Sequence, residues 1–85
     1  MKPFQFQFSD LAEQDFARLP FILQKRIWDK LHFFETSSRP LHFAKKLHGS
    51  NDAYRFRIGD YRVLFDTVKD KIIILKVGHR KDIYG

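Results

Sequence analysis

The stretch from Tyr54 to Val68 constrains the fold more than any other part of the chain. Tyr54, Phe56 and Ile58 alternate with Arg55 and Arg57; after Gly59-Asp60, Tyr61, Val63 and Phe65 alternate with Arg62 and Leu64. Side chains on a strand point to opposite faces in turn, so each segment reads as a strand with one apolar face. Gly-Asp suits a two-residue hairpin turn. Such a turn sets Ile58 opposite Tyr61, Phe56 opposite Val63 and Tyr54 opposite Phe65. A slip of one residue would carry all six to the wrong face. The same register sets Arg57 opposite Arg62, and like charges so placed destabilise a sheet by up to about 1 kcal/mol. Removing Arg62 is therefore expected to leave stability unchanged or slightly higher.

The remaining elements follow from their periods. Phe4, Phe6 and Phe8 alternate with Gln5 and Gln7, a further strand. Ser9-Asp10 supply helix-starting side chains, with Glu13 three residues after Asp10 in capping-box spacing. Ala12, Phe16 and Leu19 then predict a short helix to about Leu19. Pro20 suits the first turn of a second helix, whose apolar stripe is Leu23, Ile27, Leu31 and Phe34. Residues 36–52 read as a loop with one short helical turn around 42–47. After Val68, Lys69-Asp70 turns the chain into a last strand over 71–77. The expected fold is α+β: a strand, a helical hairpin, then a three-stranded antiparallel meander, in one sheet with the helices on one face. Residues 1–85 are expected to form a single domain.

The arginines define the other face. Arg55, Arg57 and Arg62 share it, and guanidinium forks match phosphate oxygens in pairs. The bland alternative is a solvated face with Asp60 and Asp66 as counter-charges. Strict alternation also puts Leu64, Ile73, Leu75 and Val77 there. A surface part cationic and part apolar suggests a protein partner over some of it. Charge agrees with a polyanionic target: residues 1–44 carry six Lys/Arg against five Asp/Glu, residues 45–85 ten against five.

Some chemistry is disfavoured. The chain has no cysteine, which removes disulfides and thiolate metal sites and fits a reducing cytoplasm. Histidines 32, 42, 48 and 79 lack metal-ligand spacing, so neither a metal nor a cofactor is expected. No stretch is long enough to span a bilayer, and no membrane association is expected.

The end of the chain, Gly78-His79-Arg80-Lys81-Asp82-Ile83-Tyr84, collects groups that metal-free RNA cleavage needs. That reaction takes a proton from a ribose 2′-OH, stabilises charge on phosphate and protonates the leaving 5′-oxygen. A short basic tail serves solubility just as readily.

Three segments together carry a family resemblance: Lys46-Leu47-His48-Gly49, then Tyr54-Arg55-Phe56-Arg57-Ile58-Gly59-Asp60-Tyr61-Arg62-Val63-Leu64-Phe65, then Val77-Gly78-His79-Arg80 with Tyr84. They resemble the RelE/ParE toxin superfamily, and its RelE branch of messenger-RNA-cutting toxins in particular. The resemblance covers the whole chain in element order and is strongest from about residue 44 to 84. It implies a toxin that enters the vacant decoding site of a ribosome and cuts mRNA without metal, by 2′-OH attack on the next phosphate. It also implies a RelB-like antitoxin partner wrapped around the toxin.

By motif, Arg62 and Arg80 would stabilise the transition state, and Tyr84 would orient or deprotonate the nucleophile. Arg55 and Arg57, with Lys45 and Lys46, would bind RNA phosphates. Leu64, Leu75 and Val77 would meet the antitoxin. The best-known RelE pattern has lysines where this chain has Arg55 and Arg57. Arginine practically cannot give up a proton, so proton transfer falls to His79 or Tyr84. The competing reading is a ParE-like toxin that inhibits DNA gyrase and catalyses nothing. A third, an RNA-binding domain without activity, predicts stacking aromatics on the arginine face. The strands place Tyr54, Phe56 and Tyr61 on the other side.

Overall fold

The computed structural model describes residues 4–47 and 53–83. Strand β1 (Gln5–Phe8) leads into helices α1 (Asp10–Ala17) and α2 (Phe21–Thr36). A 3₁₀ turn (Pro40–Phe43) follows, then strands β2 (Ala44–Lys46), β3 (Ala53–Ile58), β4 (Tyr61–Val68) and β5 (Lys71–His79). The strands form one sheet in the order β1-β5-β4-β3-β2. The expected meander is its centre. β1 lies parallel to β5 at one edge, and β2 adds an antiparallel strand at the other. No helix among the described residues is long and apolar enough to cross a membrane.

Local chemistry explains the helices. Ser9, rather than Asp10, is the N-cap of α1: its Oγ accepts from the Ala12 N–H at 3.1 Å. The capping-box pairing of Asp10 with Glu13 is therefore displaced, because Asp10 is already helical. Pro20 is the N-cap of α2. Gln24 Nε2 donates to the carbonyls of Phe16 and Leu19 at 3.0 and 3.1 Å, tying the end of α1 to the start of α2. Ile27, Leu31 and Phe34 are buried as the stripe requires.

The core lies between the helices and one sheet face, and it is aromatic. Phe56 is fully buried, stacked on Phe65 at 4.4 Å, Phe34 at 4.6 Å and Phe6 at 5.8 Å. Large rings let so short a chain bury enough apolar area to fold. The hairpin has the predicted register, including Arg57 opposite Arg62. Gly59 has φ +60°, which a side chain would strain at the first central position of this turn.

Two sequence expectations fail here. Residues 44–46 are a strand, and the helical turn lies earlier, at Pro40–Phe43. In β5 strict alternation breaks at a bulge. Leu64 faces Lys76 and Phe65 faces Ile74, so Leu75 has no partner in the β4–β5 ladder. Val77 consequently pairs with Val63 and is buried in the core at 4% exposure, not on the arginine face. Lys76 takes the outer position instead.

The bulge is anchored from α1: the Asp15 carboxylate accepts from the Val77 N–H at 3.1 Å. Asp15→Ala leaves that N–H without its partner and is expected to cost about 1–3 kcal/mol. A shift in the urea unfolding midpoint at unchanged slope would report it.

Candidate RNA-cleavage site

The sheet face away from the helices carries the charge. Across β2 to β5, Lys45 stands opposite Arg55, Arg55 opposite Leu64, and Leu64 opposite Lys76. The neighbouring row is Arg57, Arg62 and Gly78. Lys46 pairs with Tyr54, whose ring stacks on Phe65, so Lys46 belongs to the helix face and stands apart from Lys45.

Arg62 is the buried charge of the site, 6% exposed. Its Nη1 donates to the Gly59 carbonyl at 2.9 Å and the Tyr61 carbonyl at 3.0 Å. These bonds bend the guanidinium back over the turn, which moderates its encounter with exposed Arg57. They also reverse the stability expectation: deleting Arg62 removes two hydrogen bonds from a charged donor and leaves a gap. Such bonds contribute about 1.5–3 kcal/mol each where well formed.

Arg80 reaches the same turn from the end of β5. Its backbone N–H donates to the Asp60 carbonyl at 2.8 Å, and its Nε lies 3.7 Å from Asp60 Oδ1. The side chain is half exposed, so that ion pair is weak. Gly59-Asp60 thus gathers both arginines that the motif singles out, one buried and fixed, the other half exposed beside it.

His79 is not part of this gathering. It pairs with Tyr61, and the two rings meet edge to face at 5.4 Å. Tyr61 and Arg62 are successive strand residues, so the imidazole is on the face opposite Arg62. Its Nδ1 accepts from the Lys81 N–H at 3.1 Å, bracing the turn that follows β5. Tyr84, like His48 and Gly49 of the motif, lies outside the described residues.

Lys76 is the cation that sequence reasoning missed. A signal was available: strict alternation assigned a lysine to the buried face while sending Val77 outward. Apolar surface that a partner could cover is not confined to the arginine face. Leu64 and Leu75 are half-buried, whereas Phe21 and Ile22 of α2 are 76% and 72% exposed. Among the described residues, no three His, Asp or Glu side chains converge as metal ligands would.

What the arrangement can do is hold a phosphate backbone across four strands and present a fixed guanidinium to charge developing on it. Comparison with known proteins gives the family. A family model described as the ParE toxin of the type II toxin–antitoxin system parDE matches residues 6–84. Toxin RelE3 of Methanocaldococcus jannaschii is 45% identical over 40 residues, a match taking in 47% of this chain and about half, 46%, of that protein.

Among solved structures, the RelB–RelE antitoxin–toxin complex from Methanococcus jannaschii superposes with a TM-score of 0.75 at 30% identity. That match covers 92% of this chain and 94% of the other. The RelBE2 toxin–antitoxin complex from Mycobacterium tuberculosis gives 0.71 at 27% identity, covering 93% and 100%. With a family match over nearly the whole chain and a 30% identical relative of like length, this chain belongs to the RelE/ParE superfamily of toxins from type II toxin–antitoxin systems.

Proposed function

We propose that the protein is a RelE-type toxin that cuts mRNA on the ribosome, as a metal-free endoribonuclease. The observation that carries this reading is the gathering of Arg62 and Arg80 at one turn beside a cationic sheet face. A gyrase-binding toxin that catalyses nothing needs no second arginine at that turn beside the buried one.

In the reaction, the ribose 2′-oxygen gives up its proton and bonds to the adjacent phosphorus. The bond from phosphorus to the 5′-oxygen breaks and that oxygen takes up a proton, so that none is gained or lost overall. The products are a 2′,3′-cyclic phosphate and a free 5′-hydroxyl. Arg62 and Arg80 stabilise the charge on the phosphoryl oxygens. Lys45, Arg55, Arg57 and Lys76 hold the flanking backbone. Tyr84 orients the 2′-OH or takes its proton, since His79 faces the other way. Tyr84→Phe is therefore expected to slow cleavage on programmed ribosomes by about 100-fold, within the usual range for a positioned acid or base. His79→Gln should stay within a few-fold of the parental rate. The reverse order would reassign the proton transfer.

The protein is kept inactive by a RelB-like antitoxin, in keeping with the RelB-bound relatives. Half-buried Leu64 and Leu75, and the exposed apolar side chains of α2, are surfaces such a partner would cover. A second reading, inhibition of DNA gyrase without catalysis, is favoured by one observation: the matching family model is that of ParE.

A further inference from the structure

The cationic sheet face ends at β2, and the chain just before that strand carries a second group of exposed side chains. The 3₁₀ turn is anchored by buried Pro40, with His42 and Phe43 exposed beyond it. The Phe43 ring stacks on buried Phe34 at 4.9 Å and meets Phe33 at 5.6 Å. Phe43 is 40% exposed and Phe33 53%. The pair is therefore held by the core on one side and open on the other. His42 stands edge-on to Phe43 at 5.6 Å.

Cations lie beside these rings. Lys30 Nζ is 5.7 Å from the centre of the Phe33 ring. Arg39 shares a cleft of about 270 Å³ with Ser37, His42 and Phe43, and a neighbouring one of about 690 Å³ with Phe4 and Leu41. The larger has the size of a ligand pocket, about 300–1,000 Å³. None of the ion pairs among the described residues includes Lys30 or Arg39. The sequence has no Asp or Glu from residue 36 to 51. An exposed ring by itself needs no explanation. Two rings in contact, with cations beside them, make a surface suited to unpaired nucleic acid: bases stack on the rings and phosphates meet the charges.

Position decides which RNA. Lys45, two residues after Phe43, begins the row that crosses the sheet through Arg55 and Leu64 to Lys76. RNA lying along that row and leaving it over the β2 edge runs onto the turn that carries Phe43. We propose that Phe43 and Phe33, with Arg39, form a subsite for an unpaired nucleotide of the messenger RNA, outside the cleavage centre. The choice of messenger RNA rests on the cleavage reading, which the subsite deepens.

Two measurements on the full chain test it. The first is the binding of a fluorescent single-stranded oligoribonucleotide, which requires no cleavage. Phe43→Leu keeps apolar packing on Phe34 but removes the stacking face, and should weaken binding about 5- to 100-fold. Phe33→Leu should weaken it in the same direction. Arg39→Gln should reduce the steepness of log affinity against log salt by about 0.7, the share of one phosphate on a single strand. Phe21→Leu, at an exposed ring on the opposite end of α2, should change nothing. Thermal melting shows which variants are folded; if Phe43→Leu is not, Phe33→Leu and Arg39→Gln decide, since both side chains are exposed.

The second measurement is cleavage on programmed ribosomes. Phe43→Leu should raise KM and leave kcat near the parental value, because the ring touches no reacting atom. Trimming the message on the side that reaches the cleft should abolish the difference. A KM penalty that survives trimming on both sides assigns the surface to ribosomal RNA and overturns the proposal. Parental affinity and parental KM in all three variants overturn it while leaving the cleavage reading intact, and so does a loss of antitoxin binding in place of RNA binding. A parental protein that leaves the message whole overturns the cleavage reading, and with it the assignment to messenger RNA.

Discussion

Arg62→Ala and Arg80→Ala are each expected to slow mRNA cleavage on programmed ribosomes by about 100- to 1,000-fold, the usual cost of losing one preorganised donor to a charged transition state. The two should fail for different reasons. Arg62 is buried and its Nη1 is committed to two carbonyls, so its orientation is set before substrate arrives. Arg62→Lys keeps the charge but loses the planar fork, and should recover little. Arg62→Ala also loosens the hairpin turn. Each kcal/mol so lost would lower the melting temperature by roughly 4–8 °C in a domain of this size.

Arg80 is half exposed, and its backbone tie to Asp60 does not depend on the side chain. Arg80→Ala should therefore melt near the parental temperature while losing as much activity. A single-turnover rate within tenfold of parental for either variant, measured on folded protein, would remove that arginine from the transition state.

Phe56→Ala carries the largest expected effect on stability, about 3–5 kcal/mol. Phe56 is fully buried and links β1, α2 and β4 through stacked rings at 5.8, 4.6 and 4.4 Å. Domains are stable by roughly 0.05–0.15 kcal/mol per residue. A chain of 85 residues can therefore lose much or all of its margin from this one side chain. Urea unfolding should show the midpoint collapsing toward zero denaturant. A loss below about 1 kcal/mol would mean that the aromatic stack does not hold the sheet to the helices. Phe65 is buried equally deeply and should respond similarly, whereas exposed Phe21 should not.

Legibility in the sequence divided along a physical line. The β3–β4 hairpin could be read because its register depends on local facts: a two-residue turn, alternation on both sides and matched apolar pairs. The stripe on α2 was legible for the same reason. What failed depends on contacts distant in sequence. The bulge at Leu75 is stabilised by Asp15, sixty-two residues from its partner Val77, and it alone decides the faces of Val77 and Lys76. β2 is three residues long and has no alternation to detect; its pairing with β3 defines it.

The candidate site shows the same division. Arg55, Arg57 and Arg62 share a face as their spacing required. Arg62 is buried with its guanidinium turned back on the Gly59 and Tyr61 carbonyls, a side-chain path that no strand pattern encodes. His79 looked like a partner of Arg80 because the two are adjacent, but the strand places it beside Tyr61.

The proposed function requires that this fold present a catalytic site to ribosome-bound mRNA. The most direct measurement incubates the purified protein with ribosomes carrying a defined message, and maps 5′ ends on that message. Cuts within the decoding site are expected, leaving 2′,3′-cyclic phosphate and 5′-hydroxyl ends, and they should be absent with Arg62→Ala. Intact message, together with arrest of gyrase supercoiling by the same preparation, would contradict it.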